Sequence, residues 1–188
     1  MARLRSPEKR TAILSAAVHE IAEAGLGAPT AKIAKRAGIA EGTLFTYFTN
    51  KEALLNELYL DLKVEVYKRI NANFPHKASL ERRAWHLWSS FLDWAIESPE
   101  KRKVSVLLNF SDLITPETRA RTATERGAVD ATLSELEGRE ALRGFPAGFA
   151  AATMAAMQEA AMDFITRQPR QRKQLIERTF RLFWRAVR

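Results

Sequence analysis

Seven prolines and eight glycines punctuate this chain of 188 residues, and no Gly follows Asn, Asp or another Gly. The tight two-residue turns that join paired strands need such dipeptides to reach positive φ, so that class of hairpin is not encoded. Three of the prolines instead follow a hydroxyl residue, at Ser6-Pro7, Ser98-Pro99 and Thr115-Pro116. There the hydroxyl can cap a helix and the fixed φ of Pro suits its first position. Between these points apolar residues recur at spacings of three and four, which predicts an all-α chain.

Ser6-Pro7 opens a first helix through Ile13, Ala16, Ala17, Ile21 and Ala24, and Gly25 closes it. A short second helix, with Thr30 as its cap, runs through Ile33, Ala34 and Ala37 to Gly38, and a third covers Glu41 to about Tyr47. Asn50 caps a long fourth helix with Leu54, Leu58 and Leu62 on its inner face, ending at Asn73-Phe74-Pro75-His76. Ser79 begins a helix carrying Trp85, Trp88, Phe91, Leu92 and Trp94, and Ser98-Pro99 caps the next. Thr115-Pro116 starts a helix expected to reach about Leu136, and two more follow Pro146 and Pro169, the first rich in Ala and Met.

Thirty Lys and Arg against 22 Asp and Glu give a net charge of +8, so an acidic partner is expected. The excess sits at the two ends: residues 1–51 hold 8 basic and 4 acidic side chains, and residues 167–188 hold 8 and 1. The absence of Cys excludes disulfides, thiolate metal sites and a cysteine nucleophile, and fits a reducing compartment. Glu20 and Glu23 interrupt the apolar pattern behind the N-terminus, and the longest uncharged stretch, 144–158 and including Phe145 to Gln158, is short of the roughly 18 to 20 residues of a spanning helix. A cytoplasmic protein is expected.

Two short helices joined by Gly38-Ile39-Ala40, anchored by Ile33, Ala34, Ile39 and Leu44, read as a helix-turn-helix. In that motif the second helix enters the major groove, where base edges can be told apart. Glu41 to Tyr47 holds no Arg or Asn for bidentate base reading, so phosphate contacts are expected to supply most of the affinity. Thr30, Lys32, Tyr47 and Lys51 are the candidates for phosphate, Thr43 and Thr46 offer hydroxyl and methyl groups to bases, and Arg3, Arg5, Lys9 and Arg10 are candidates for an additional arm or backbone contact.

Residues 10–59 resemble the DNA-binding domain of TetR-family transcriptional repressors, through Ala16-Ala17, Gly25, Thr30, Ile33-Ala34, Ala37-Gly38-Ile39, the run Glu41 to Phe48 and Lys51-Glu52-Ala53-Leu54. Two positions depart from the pattern: Ala40 stands where Ser or Thr commonly caps the reading helix, and Phe45 replaces a frequent Tyr. The resemblance implies an all-α homodimer of about nine helices, with a DNA-binding domain at 1–50 and a ligand-binding and dimerisation domain at 51–188. It also implies that Thr30, Lys32, Thr43, Thr46, Tyr47 and Lys51 occupy positions that touch DNA. Leu58-Tyr59-Leu60, Met162-Asp163-Phe164 and Trp184-Arg185-Ala186 are similar to the RamR-like branch that regulates multidrug efflux. That branch would imply a repressor released from a near-palindromic operator by a small lipophilic inducer.

Tyr59, Trp85, Trp88, Phe91, Trp94 and Phe110 form a central aromatic set that can line a cavity or fill a core, since helical spacing serves both. Tyr59, Trp85, Trp88 and Phe91, with Met154 as an adaptable partner, are the candidate ligand-binding residues, and Asp93, Glu159 or Asp163 would pair with a cationic ligand. The last two helices, one Ala-rich and one carrying Phe180, Phe183, Trp184 and Val187, are the dimer interface implied by the resemblance; by residue pattern alone an internal core serves equally. The basic face of the last helix reads first as a solvated surface, with anionic membrane or non-specific nucleic-acid binding as the alternative function. His19, His76 and His86 are scattered, no phosphate-cradling Gly loop is present, and no catalytic constellation, cofactor or metal site is expected.

Overall fold

The computed structural model describes residues 6–188, in which ten α-helices and no strands occur. The basic residues Arg3 and Arg5, expected in an arm, lie outside the described residues.

Side-chain caps open four of the ten helices. At the start of α1 (Pro7–Ala24), Ser6 Oγ accepts the Lys9 amide at 3.3 Å, and the helix stops at Gly25, whose φ of 75° is open to a residue without Cβ. Two short helices follow, α2 (Thr30–Arg36) and α3 (Glu41–Tyr47), with Gly38 at φ 70° in the turn between them. Thr30 is not the cap expected of it. Pro29 holds that position, no side chain caps the helix, and the Thr30 hydroxyl donates to Glu41 instead. Asn50 does cap α4 (Lys51–Asn71), its Oδ1 accepting the Ala53 amide at 2.7 Å.

Ser79 Oγ accepts the Arg82 amide at the head of α5 (Leu80–Glu97), whereas Ser98, before α6 (Pro99–Asn109), makes no capping bond. The single helix expected between Thr115 and about Leu136 is divided into α7 (Pro116–Ala120), a 3-10 turn (Ala123–Arg126) and α8 (Gly127–Glu137). Just beyond α7, Thr122 turns its hydroxyl back onto the Arg119 carbonyl at 2.8 Å. The remaining helices are α9 (Phe149–Arg167) and α10 (Arg172–Val187), which follows a 3-10 turn at Pro169–Gln171.

The chain forms two compact units that interleave in sequence. One comprises residues up to Glu65 together with Ser98–Ala123, and the other comprises Val66–Glu97 and Thr124–Arg188. The expected division at residues 50 and 51 therefore does not coincide with a boundary between compact units. The first core gathers Ile13, Ala17, Ile21, Ile33, Leu44, Leu54 and Leu58 with Val104, Leu108 and Ile114. The second is built on Trp88, Leu92, Trp94, Met154, Phe180 and Phe183.

Candidate nucleic-acid interface

The first unit holds the helix-turn-helix by burying one side of each short helix. Ile33 and Ala34 of α2 and Leu44 of α3 are buried against Ile13, Ala17 and Ile21 of α1, and Ile39 packs on the same cluster from the turn. A second tie is ionic. Arg36 donates to the Glu20 carboxylate at 2.6 Å, and this hydrogen bond, opposed by burial, holds Glu20 below its ordinary pKa. A buried carboxylate without that partner would carry a desolvation penalty, so the pair fixes α2 on α1.

With the inner side committed to core, the polar side chains face outward. Lys32 and Thr46 are exposed, and Thr30, Thr43, Tyr47 and Lys51 are half-buried. All six belong to the same unit, on α2, α3 and the first residue of α4. The Ser6 amide donates to the Tyr47 hydroxyl at 2.9 Å, leaving the phenol its own proton to give. The Thr46 hydroxyl is turned back onto the Gly42 carbonyl at 3.2 Å, and Phe45 is 41% exposed on the same helix.

Arg10, a candidate for an arm or backbone contact, is engaged within the protein. Its guanidinium lies 2.7 Å from Glu57 Oε2 and 3.9 Å from Asp61, while Arg121 reaches Glu57 Oε1 at 3.1 Å. Burial tends to raise the Glu57 pKa, but the hydrogen bonds and charges of the two arginines outweigh it and lower it. This network joins α1, α4 and the end of α7 beside a cleft of about 390 Å³ lined by Ser6, Arg10, Tyr47, Phe48, Thr49, Ala53 and Glu57. Sequence reading missed it because its members lie 47 and 64 positions apart.

Residues 13–58 match the family model described as bacterial regulatory proteins, tetR family. This part of the chain is similar to the DNA-binding domain of that family. Over 72 residues the chain is 38% identical to the fatty acid metabolism regulator protein of Bacillus subtilis (strain 168), a stretch covering 38% of this chain and 37% of that protein. The TetR-type architecture extends further than this stretch. A TetR family transcription regulator from Marinobacter aquaeolei VT8 superposes with a TM-score of 0.79 at 25% identity, covering 96% of this chain and 95% of that one. The regulator FadR from Bacillus subtilis, solved in complex with stearoyl-CoA, shares the fold at 21% identity and a TM-score of 0.70, over 95% of this chain and 99% of that one.

In this TetR-type fold the expected ligand residues fall into different units. Tyr59 is buried in the first, its ring flanked by Lys63 Nζ at 5.3 Å and the Arg119 guanidinium at 5.6 Å. Trp88 is 0% exposed in the second, stacked on Phe183 at 5.5 Å with its indole N–H donated to the Ile176 carbonyl. Met154 is buried in the same core, and Phe91 packs against it half-buried. Trp85 sits edge-on to Phe180 and opens onto a cleft of about 410 Å³ between α5 and α10, rimmed by Glu81, Arg82, Glu177 and Arg181. Phe110, counted with the central aromatics, is 87% exposed at the end of α6 and belongs to neither core.

The carboxylates considered for a cationic ligand are engaged internally: Asp93 with Arg172 at 2.7 Å and Asp163 with Arg167 at 2.5 Å, while Glu159 also has a partner. His19 is held between Glu23 and Glu100, and His86 Nε2 lies 2.7 Å from the Ile70 carbonyl. Among the described residues no group of three His, Asp or Glu is arranged for a metal ion, and no helix is long and apolar enough to cross a membrane.

Proposed function

We propose that this chain is a ligand-responsive, DNA-binding transcriptional repressor acting in the cytoplasm as a homodimer. The observation that supports the reading is a helix-turn-helix, similar to the TetR-family model, whose inner face is committed to core while Lys32 and Thr46 are exposed and Thr30, Thr43, Tyr47 and Lys51 are half-buried. Lys32 and Lys51 give charge to phosphates, Tyr47 gives its phenolic proton, and Thr43 and Thr46 meet base edges. With its hydroxyl bonded to Gly42, Thr46 offers its methyl group, which suits the methyl of thymine.

In this reading residues 1–50 are the DNA-binding domain and 51–188 serve ligand binding and dimerisation. The outer side of α9 presents Ala152, Ala155, Ala156, Ala160 and a 49% exposed Phe164, and Leu182 of α10 is 62% exposed. Small residues permit close helix approach, so a second copy would cover this face with its own last two helices. Two readers then occupy successive major grooves of a near-palindromic operator, about 34 Å apart or slightly more.

A small lipophilic inducer releases the repressor by binding the DNA-incompetent arrangement better than the competent one, since equal affinity would shift nothing. The RamR-like segments favour lipophilic drugs as inducers and efflux genes as targets. The similar FadR structure from Bacillus subtilis, solved in complex with stearoyl-CoA, favours fatty acyl thioesters as a second class to screen.

The deciding experiment is selection from a randomised duplex pool at several salt concentrations, followed by release of the selected site with both ligand classes. A two-fold-symmetric motif bound far above random duplex supports the regulator. Uniform, salt-sensitive binding without a motif refutes it and favours non-specific attraction to polyanions.

A further inference from the structure

The exposed side of α3 carries one formal charge, and it is negative. Glu41, the first residue of the helix, is exposed, and its Oε1 accepts the Thr30 hydroxyl at 2.5 Å. The bond crosses from α2 to α3, so it holds the carboxylate at the tip of the reading helix. Its second oxygen, Oε2, has no partner among the described residues. A carboxylate carried toward a polyanion is repelled unless it meets a donor, and the arrangement offers it no cation to neutralise it.

In the major groove the available donors are few. Guanine presents two acceptors and thymine presents one beside its methyl group, whereas cytosine offers N4–H and adenine offers N6–H next to the acceptor N7. A carboxylate is all acceptor, so against adenine its second oxygen faces N7, and against guanine or thymine it meets acceptors alone. Cytosine satisfies it without a conflicting lone pair.

Resting on the regulator reading above, we propose that Glu41 is a specificity-determining residue that selects cytosine at one symmetric position of each half-site and rejects guanine and thymine there. Thr30 is its positioning residue. The hydroxyl expected on phosphate donates to Glu41, and this sets the direction of the unpaired oxygen.

The test is a randomised-duplex selection with the full chain, Glu41→Gln and Glu41→Ala, followed by titration of the selected site and its single-base variants. Both substitutions are at an exposed position, and Gln retains an oxygen for the Thr30 hydroxyl. The wild type should fix cytosine at the position. Glu41→Gln should move it to adenine, whose N6 and N7 match an amide, changing the cytosine-to-adenine affinity ratio by roughly tenfold or more. Glu41→Ala should flatten that position alone, and both variants should bind random duplex more tightly than the wild type because a repelled charge is gone. An unchanged base preference in Glu41→Ala, with the symmetric motif intact, overturns the assignment and leaves the regulator standing. Failure of the wild type to select any symmetric motif overturns both.

Discussion

At the scale of single residues, the polar side chains of the reader divide into those that hold the fold and those free to meet a partner. Lys51 begins α4 and is the cation we assign to a phosphate, so Lys51→Ala should weaken binding to all sequences alike. It should also reduce the slope of log affinity against log salt by about 0.9 for the lost phosphate neutralisation; an unchanged slope would remove it from the contact set. Thr46 offers a sharper comparison, because its hydroxyl is occupied by Gly42. Thr46→Val keeps the methyl and should keep base preference, whereas Thr46→Ser should lose it; the reverse order in selected motifs would show that the hydroxyl does the reading. The types and positions of these candidates were legible in the sequence because they follow from helix starts and turn spacing. Their partners were not. The bonds from Ser6 to Tyr47 and from Thr30 to Glu41 span 41 and 11 positions, distances at which no local pattern specifies a contact.

At the scale of elements, helix starts were readable wherever a cap acts within three residues of itself, as at Ser6, Asn50 and Thr115. The interruption between α7 and α8 was not, because no Pro stands between Pro116 and Leu136 to mark it. The joining of α1, α4 and α7 through Arg10, Glu57 and Arg121 likewise depends on tertiary placement. That network makes a pH prediction with a definite sign. The folded pKa of Glu57 lies below its ordinary value of 4.5, so its contribution to stability is full above that value and is lost as pH falls through the folded one. Glu57→Gln should therefore flatten part of the acid limb of a denaturation-midpoint profile. Parallel acid limbs for the two proteins would show that the ionised carboxylate contributes nothing there.

At the scale of the whole molecule, an all-helical chain followed from punctuation and periodicity, and the helix-turn-helix from its turn. Which aromatics are core was undetermined, because helical spacing is the same for a core and for a cavity wall. In the structure Trp88 is stacked in the core with its indole satisfied, and Trp85 by contrast meets an open cleft. Assembly is testable through α10: Leu182→Asp should convert a dimer into a monomer in sedimentation and abolish tight binding to a two-half-site operator while sparing helix content. Persistence of the dimer would move the interface elsewhere. The interleaving of the two units bears on how such regulators are recombined. Val104, Leu108 and Ile114 belong to the same core as the reader's first helix, although they lie beyond the stretch that completes the second unit's first segment. A chimera that grafts only the first fifty residues onto a foreign C-terminal portion would leave that core without its own α6 and its continuation to Ile114. Exchange of DNA specificity between relatives is therefore better made by repainting the exposed positions of α2 and α3 than by cutting and splicing, and inheritance of new specificities through point changes meets less resistance than inheritance through shuffled segments.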